Sequence, residues 1–327
     1  MPKGRSKRTE DSPLRIASID VGSNTVLLLI ADIYKSGTCK ALYQQSFMPR
    51  LGNYVAKNKS LGKSGYRRLY RVLNAYKKKC LEYKVDKIIC LATEAMRRAA
   101  DRDKISKSIF EELKLKVKTI SPRQEATLSY LSATAELRTK PKRTLAVIDI
   151  GGGSTEITNR TSNDRLKTKS IPLGALLIRN KFAIKYPVSK SKLNEIDRYI
   201  KKRVETGLSV GSRIDLVGVG GSITSIPRIL KAQSKHDHKA VDFFNVKTRN
   251  LNGLIGIISS LKIAQIKRIK GIPKGREDIL LPGLMILRRI LDLTKTSSIT
   301  VRNRGLRYGA IFNYIKEIYP HAQIRFQ

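Results

Sequence analysis

Apolar residues along this chain follow two periodicities, and the switch between them happens in the same order twice. Residues 14–20, 25–33 and 38–46 predict three strands. The second, TVLLLIADI, is apolar throughout, as in a strand covered on both faces, while TCKALYQQS is more mixed. A loop rich in Gly, Asn and Lys is expected from there to about residue 62. The helical repeat follows. Leu69, Val72, Leu73, Tyr76 and Cys80 share one face, with Arg and Lys on the other. Residues 86–92 predict a strand, 93–114 one or two helices opening at Thr93 as N-cap, and 114–120 another strand. Residues 122–138 predict a helix with Pro in its first turn.

A basic connector, TKPKRT (139–144), ends this first series, and the order restarts. Strands are expected at 144–150, 155–160 and 165–173, then a helix at 189–208. Residues 213–230 read as strand, glycine turn and helix. Helices at 248–262 and 276–294, a strand at 297–302 and a last helix at 305–319 complete the pattern. Each half thus opens with strand, turn, strand and strand. The turns themselves match: IDVGSNT (19–25) and IDIGGGSTE (148–156) place Asp20 and Asp149 129 residues apart. That offset pairs Gly22 with Gly151, Asn24 with Gly153 and Thr25 with Ser154. A repeat this long predicts a duplicated domain rather than a solenoid. Two α/β lobes of this kind leave a cleft between them, where a ligand can bind.

Charge changes the picture more than size does. The chain has 327 residues, enough for two cored domains, with 41% hydrophobic residues and no Trp. Its 66 Lys and Arg face 26 Asp and Glu, a net charge of +40. Such a surplus implies either a polyanionic partner, nucleic acid or inorganic polyphosphate, or a merely Lys-rich solvated surface. The apolar run 26–31 is too short to span a bilayer, so no membrane association is expected. The first 12 residues are basic and polar, lack the apolar core of a secretory signal, and read as a solvated tail. Cys39, Cys80 and Cys90 form no CxxC pair, which fits a reduced, cytoplasmic protein.

The strongest chemical signal is IDIGGGSTE. Gly151, Gly152 and Gly153 let backbone N–H groups approach an anion, Ser154 and Thr155 add hydroxyls, and Asp149 and Glu156 bracket the turn. Phosphate beside carboxylates calls for a bridging divalent cation, usually Mg²⁺. In the upstream copy Asp20, Ser23, Asn24 and Thr25 suit phosphate and metal-bound water, although Asp-x-Gly turns also serve ordinary hairpins. GVGGSITSI (218–226) sets Gly220, Gly221 and Ser222 between strand and helix, which suits an anion site and a tight turn equally. Arg97 could offer a planar fork to phosphate, or be one more solvated arginine. Glu125, just inside a helix, could take a proton from water in a cleft, or simply answer the helix dipole. The HDH triplet at 236–238 reads as a polar loop, and His321 is the only other histidine, so a Ser-His-Asp hydrolase is excluded. No Walker loop or zinc cluster appears.

Seven stretches in order, SIDVGSNTVLLLIAD, ATEAMRRAAD, ISPRQEATLSYLSA, AVIDIGGGSTEI, GVGGSITSI, GREDILLPGLMIL and RNRGLRYGAI, resemble the exopolyphosphatase and guanosine pentaphosphate phosphatase family, within the superfamily of acetate and sugar kinases and actin. The resemblance runs from about Leu14 to the last helix. It implies two ribonuclease-H-like, actin-like ATPase lobes with an interdomain cleft, and Mg²⁺-dependent hydrolysis of a terminal phosphoanhydride. It assigns Glu125 as catalytic base, Arg97 to the terminal phosphoryl group, and Asp149 and Glu156, with Asp20, to the metal and its water. It sets Ser23, Asn24, Thr25, Gly151, Gly152, Gly153, Ser154, Gly220, Gly221 and Ser222 along the phosphate path. Gln124 stands where the family usually has a second acid, and Arg302 and Asn303 where Ser and Asp are frequent. The additional helical domains of longer relatives are expected to be absent.

The sequence therefore predicts a first lobe at 13–124, a second at 125–309, and a C-terminal helix (310–327) packing back on the first. The expected activity is release of orthophosphate from inorganic polyphosphate, with guanosine pentaphosphate as the alternative substrate. Readings from other classes are an actin-like-fold ATPase or kinase, and a non-catalytic polyanion-binding protein. Nucleic acid would bind only non-specifically, since no aromatic-interleaved RNA motif is present. The expected assembly is a homodimer.

Overall fold

The computed structural model describes residues 12–137, 144–161, 165–207, 214–231 and 241–327. The basic tail, most of the 139–144 connector and the HDH triplet lie outside them. The first sheet grows from β1 (Leu14–Val21), β2 (Val26–Ile33), β3 (Thr38–Phe47), β4 (Lys87–Ala92) and β5 (Val117–Thr119). The first three strands pair antiparallel, while β4 and β5 add parallel on the other side of β1. The second sheet repeats that plan with β6 (Thr144–Ile150), β7 (Thr155–Arg160), β8 (Leu166–Ile171), β9 (Ile214–Val219), β10 (Phe244–Lys247) and β11 (Ser298–Val301). Here β6, β7 and β8 are antiparallel, β9 and then β11 run parallel beside β6, and β10 pairs antiparallel with β11. β12 (Arg325–Phe326) adds to the edge of β3, so the strand orders are β12-β3-β2-β1-β4-β5 and β10-β11-β9-β6-β7-β8. Two α/β lobes result, as the duplicated pattern predicts, with the ribonuclease-H-like topology that the family resemblance implies.

The helices are α1 (Leu51–Asn58), α2 (Gly62–Glu82), α3 (Glu94–Arg98), α4 (Arg102–Leu113), α5 (Pro122–Thr134), α6 (Ala175–Lys181), α7 (Lys190–Gly207), α8 (Gly221–Leu230), α9 (Thr248–Ser260), α10 (Ile263–Ile266), α11 (Leu280–Leu293) and α12 (Leu306–Ile318). They cover both faces of each sheet, which explains the all-apolar β2. Leu28 and Ile30 pack with Leu69, Leu73 and Tyr76 of α2, while Leu29, Ala31 and Ile33 face α12. Each such side chain, removed from water, contributes about 1.5–3 kcal/mol before entropy is counted. α1 corrects the loop expected before residue 62. It is two turns long, buries only Leu51 and Val55, and starts at Arg50 in the left-handed region without a side-chain cap, so no periodicity or cap marks it. α6, β10 and β12 were also not predicted, being equally short.

Two helices join the lobes. α5 lays Tyr130 and Ala133 on Val147, Val217 and Val219 of the second sheet. α12 lays Tyr308, Ile311 and Ile315 on the first. They touch each other at Gly309, where a methyl group would sit 2.0 Å from the Leu128 carbonyl oxygen. Ser132 Oγ donates to the carbonyls of Arg304 and Gly305 at 2.9 and 3.0 Å, tying α5 to the start of α12. Among the described residues no helix is long and apolar enough to cross a membrane.

Candidate active site

Both glycine turns close in the same way. Gly22 N–H donates to the Thr25 carbonyl at 3.0 Å, and Gly151 N–H donates to the Ser154 carbonyl at 2.9 Å. The β1–β2 and β6–β7 pairings end at Val21/Val26 and Ile150/Thr155, so each turn spans four residues. The turns meet across the lobes. A methyl on Gly152 would lie 3.2 Å from Cβ of Asn24, and one on Gly153 would lie 3.2 Å from Ser23 Oγ. Side chains at Gly152 and Gly153 would crowd Ser23, Asn24 and Glu94, so glycine lets the turns approach. A third turn joins them. Gly220 has φ of +90°, and its Cβ would fall 2.7 Å from the Ile150 carbonyl oxygen and 2.8 Å from Asp149 Oδ1. The three turns border one cleft, where Ser23, Asn24, Thr25, Gly151, Gly152, Gly153, Ser154, Gly220, Gly221 and Ser222 all line the wall.

Asp20, Asp149 and Glu125 also line this cleft. β1 and β6 end in the two aspartates, and α5 presents the glutamate from its first turn. Burial pushes Asp20 up to about 8, helped by the charges of Glu125 and Asp149. Burial raises Asp149 to about 6, although Ser129 Oγ donates to its Oδ2 at 3.1 Å. Glu125 rises to about 7, again mainly by burial, with Arg97 opposing the shift. Glu156 is raised well above the ordinary range by burial and by Glu125 and Asp149. Four carboxyl groups so placed repel one another and gain from a cation. The donor set is all hard oxygen, which suits Mg²⁺ over a softer ion. Among the described residues no three acids converge closely enough to hold an ion unaided. Mg²⁺ commonly binds through one or two carboxylates together with phosphate oxygens and water, which this cluster permits.

Two expected site residues do not line the cleft. Arg97 does not line the cleft. Its Nη1 donates to Glu125 Oε2 at 2.6 Å and to the Ile120 carbonyl at 2.9 Å, which ties it to the acid that lines the cleft. Glu156 also stays out of the cleft wall, and its Oε1 accepts from Ser170 Oγ at 2.8 Å. Gln124, where a second acid is usual, accepts from Ser121 N–H at 3.0 Å and closes the cap of α5. Its side chain is thereby committed to the helix end. Arg302 is fully buried, 3.0 Å from Asp242 and 3.9 Å from the Phe243 ring centre, while also touching the cleft. Asn303 lines the cleft beside it.

Three arginines of the cleft were missed in the sequence reading. Arg228 from α8, Arg276 before α11 and Arg307 from α12 all line it, and no salt bridge to any of them is found among the described residues. Burial lowers Arg228 to about 10, with Arg307 adding repulsion, and lowers Arg276 to about 10, with Arg228 adding repulsion. Arg228 Nε has no hydrogen-bond partner. Arg276 Nη2 crosses between lobes to donate to Thr25 Oγ1 at 3.1 Å. It lies over Gly221, where a methyl would be 2.0 Å from its Cζ. Arg307 donates to Gln44 Oε1 at 2.7 Å. Buried cations that repel each other without a salt bridge mark an anion site. The signal was present, since Arg276 and Arg307 sit inside GREDILLPG and RNRGLRYG. In so basic a chain their residue type alone did not set them apart.

Residues 29–318 match the model of the Ppx/GppA phosphatase family. The chain belongs to this family. It is 28% identical over 311 residues to the bifunctional 3-dehydroquinate synthase/phosphatase of Fusobacterium nucleatum, covering 92% of this chain and 46% of that protein. It therefore spans about half of that relative. It is 23% identical to the putative exopolyphosphatase of Haemophilus influenzae, covering 95% of this chain and 94% of that one. The crystal structure of the Aquifex aeolicus member of the Ppx/GppA family superposes with a TM-score of 0.77 at 26% identity, over 93% of this chain and 98% of that one. As a Ppx/GppA member the chain is a phosphoanhydride hydrolase. Its interlobe cleft, with carboxylates at the glycine turns and guanidinium groups beyond them, is built for that chemistry.

Proposed function

We propose that this Ppx/GppA phosphatase removes terminal phosphate from inorganic polyphosphate. The observation that carries the reading is the division of one cleft into two charge zones. Acids crowd the glycine turns, and the guanidinium groups of Arg228, Arg276 and Arg307, none in a salt bridge among the described residues, face the same space. A chain of phosphates suits both zones at once. Its end lies among the turn N–H groups, Ser23, Asn24 and Ser154, and the next units reach the arginines. Asp149 and Asp20 would hold Mg²⁺, which when bound neutralises charge on the phosphates. Glu125, set by Arg97 and the Ile120 carbonyl, accepts a proton from the attacking water. The water oxygen forms a new bond to the terminal phosphorus as the anhydride P–O bond breaks. The products are orthophosphate and a chain one unit shorter, the latter leaving with the bridging oxygen. Positioning and charge neutralisation supply most of the acceleration.

The surplus of +40 supports long polyphosphate over a single guanosine pentaphosphate, since each further phosphate finds further cations. The reading is tested by phosphate release from long polyphosphate, tripolyphosphate, guanosine pentaphosphate and ATP in parallel, with and without Mg²⁺. Polyphosphate should give the highest kcat/KM, and only with the metal. Preference for guanosine pentaphosphate would move the substrate assignment, preference for ATP would favour the superfamily's ATPase chemistry, and silence on all four would refute the proposal.

A further inference from the structure

A second cavity, open to solvent, lies behind the glycine turns, between α1, α3 and α6. Four residues border both it and the main cleft: Ser23, Glu94, Gly152 and Gly153. The partition is therefore two short turns and one acidic side chain. A methyl on Gly153 would lie 2.7 Å from Glu94 Cγ, so that side chain rests directly against the turn. Its carboxylate is loosely tied, 3.4 Å from Arg97 Nη2 and 3.5 Å from Arg98 Nη1. Both distances exceed those of a firm charge-assisted bond.

We propose that this second cavity is the exit by which orthophosphate leaves, while the shortened chain stays in the main cleft. The inference rests on the polyphosphate reading. After cleavage the free phosphate sits at the turns, and the rest of the chain still occupies the space lined by Arg228 and Arg276. Phosphate can return by that route only if the chain departs first. The back cavity removes that constraint. Asn180, Lys181 and Arg98 give it polar and cationic groups on the solvent side, whereas Leu176 and Leu177 form an apolar wall that does not trap an anion. Glu94 is the movable piece. Its two partners lie in different directions, since Arg97 is bound to Glu125 and the Arg98 side chain is 52% exposed. A shift of Glu94 toward Arg98 takes its carboxylate off the turn.

Ala56 lines the back cavity from α1, is exposed, and does not line the main cleft. Ala56→Trp narrows the exit without touching the catalytic wall. On long polyphosphate, rapid quench should show a first cleavage at the wild-type rate. Steady-state release read by a phosphate-binding fluorescent sensor should then fall about tenfold, with a burst of bound product. Tripolyphosphate, too short to fill the front, should slow less than about twofold. Lys181→Trp, from the facing wall, gives an independent reading if the first variant does not fold. Unchanged steady-state release on long chains in a folded variant would overturn the exit, as would slowing of the first cleavage itself. Failure of wild-type protein to release phosphate from any polyphosphate would instead sink the substrate reading.

Discussion

Glu125 sits under opposing influences. Burial and the charges of Asp149 and Glu94 raise it, Arg97 lowers it, and the balance falls at about 7. A base must be deprotonated to act, so kcat/KM should climb with pH and level off above about 7. Arg97→Ala removes the stabilising cation, so its profile should move to higher pH, with activity partly recovered in alkaline buffer. A profile that keeps its midpoint while losing height would deny Arg97 this role. The same acids set stability. Asp20, Asp149 and Glu125 bind protons in the folded protein at values of about 8, 6 and 7, where the unfolded chain has released them at about 4. The folded state therefore holds more protons between about pH 4 and pH 8, and stability must fall as pH rises through that window. Thermal melts without divalent cation should show this fall. Mg²⁺ should raise the melting temperature near pH 8 in wild type and much less in Asp149→Asn; an equal rise in both would remove Asp149 from the metal site.

At the level of elements, the three glycine turns give the cleft its shape. Gly220→Ala places a side chain at φ of +90° and within 2.8 Å of the Asp149 carboxylate. The cost should be about 3 kcal/mol of stability, with activity lost by displacement of Asp149. Full activity and an unchanged denaturation midpoint would contradict the close packing. Much of the layout was readable beforehand, for a physical reason in each case. β1 and β6 are apolar runs that lead into Asp and Gly, β2 is apolar almost throughout, and α2 carries a clear helical stripe. The 129-residue offset revealed the paired turns because their backbone requirements restrict residue choice twice over. α1 and α6 were not readable, since each buries its face against partners distant in sequence. The Arg97–Glu125 pair was not readable, because its members lie 28 residues apart and only the fold brings them together. Arg228 gave no local signal, because burial among other cations is a property of the assembled cleft.

For the whole molecule, charge and cleft act together. A chain at +40 should hold long polyphosphate through many contacts, each releasing counterions. For about five phosphate contacts, affinity should drop roughly a hundredfold between about 50 and 200 mM salt. A short ligand such as tripolyphosphate should show a shallower slope, and equal shallow slopes would confine recognition to the cleft. The account as a whole requires that both lobes grip one anhydride chain whose end meets Glu125. The direct test is a single-turnover measurement on end-labelled polyphosphate with wild type and Glu125→Gln, paired with equilibrium binding under the same conditions. The account predicts that cleavage falls about a thousandfold while affinity changes less than about twofold. Cleavage that persists near the wild-type rate would contradict it.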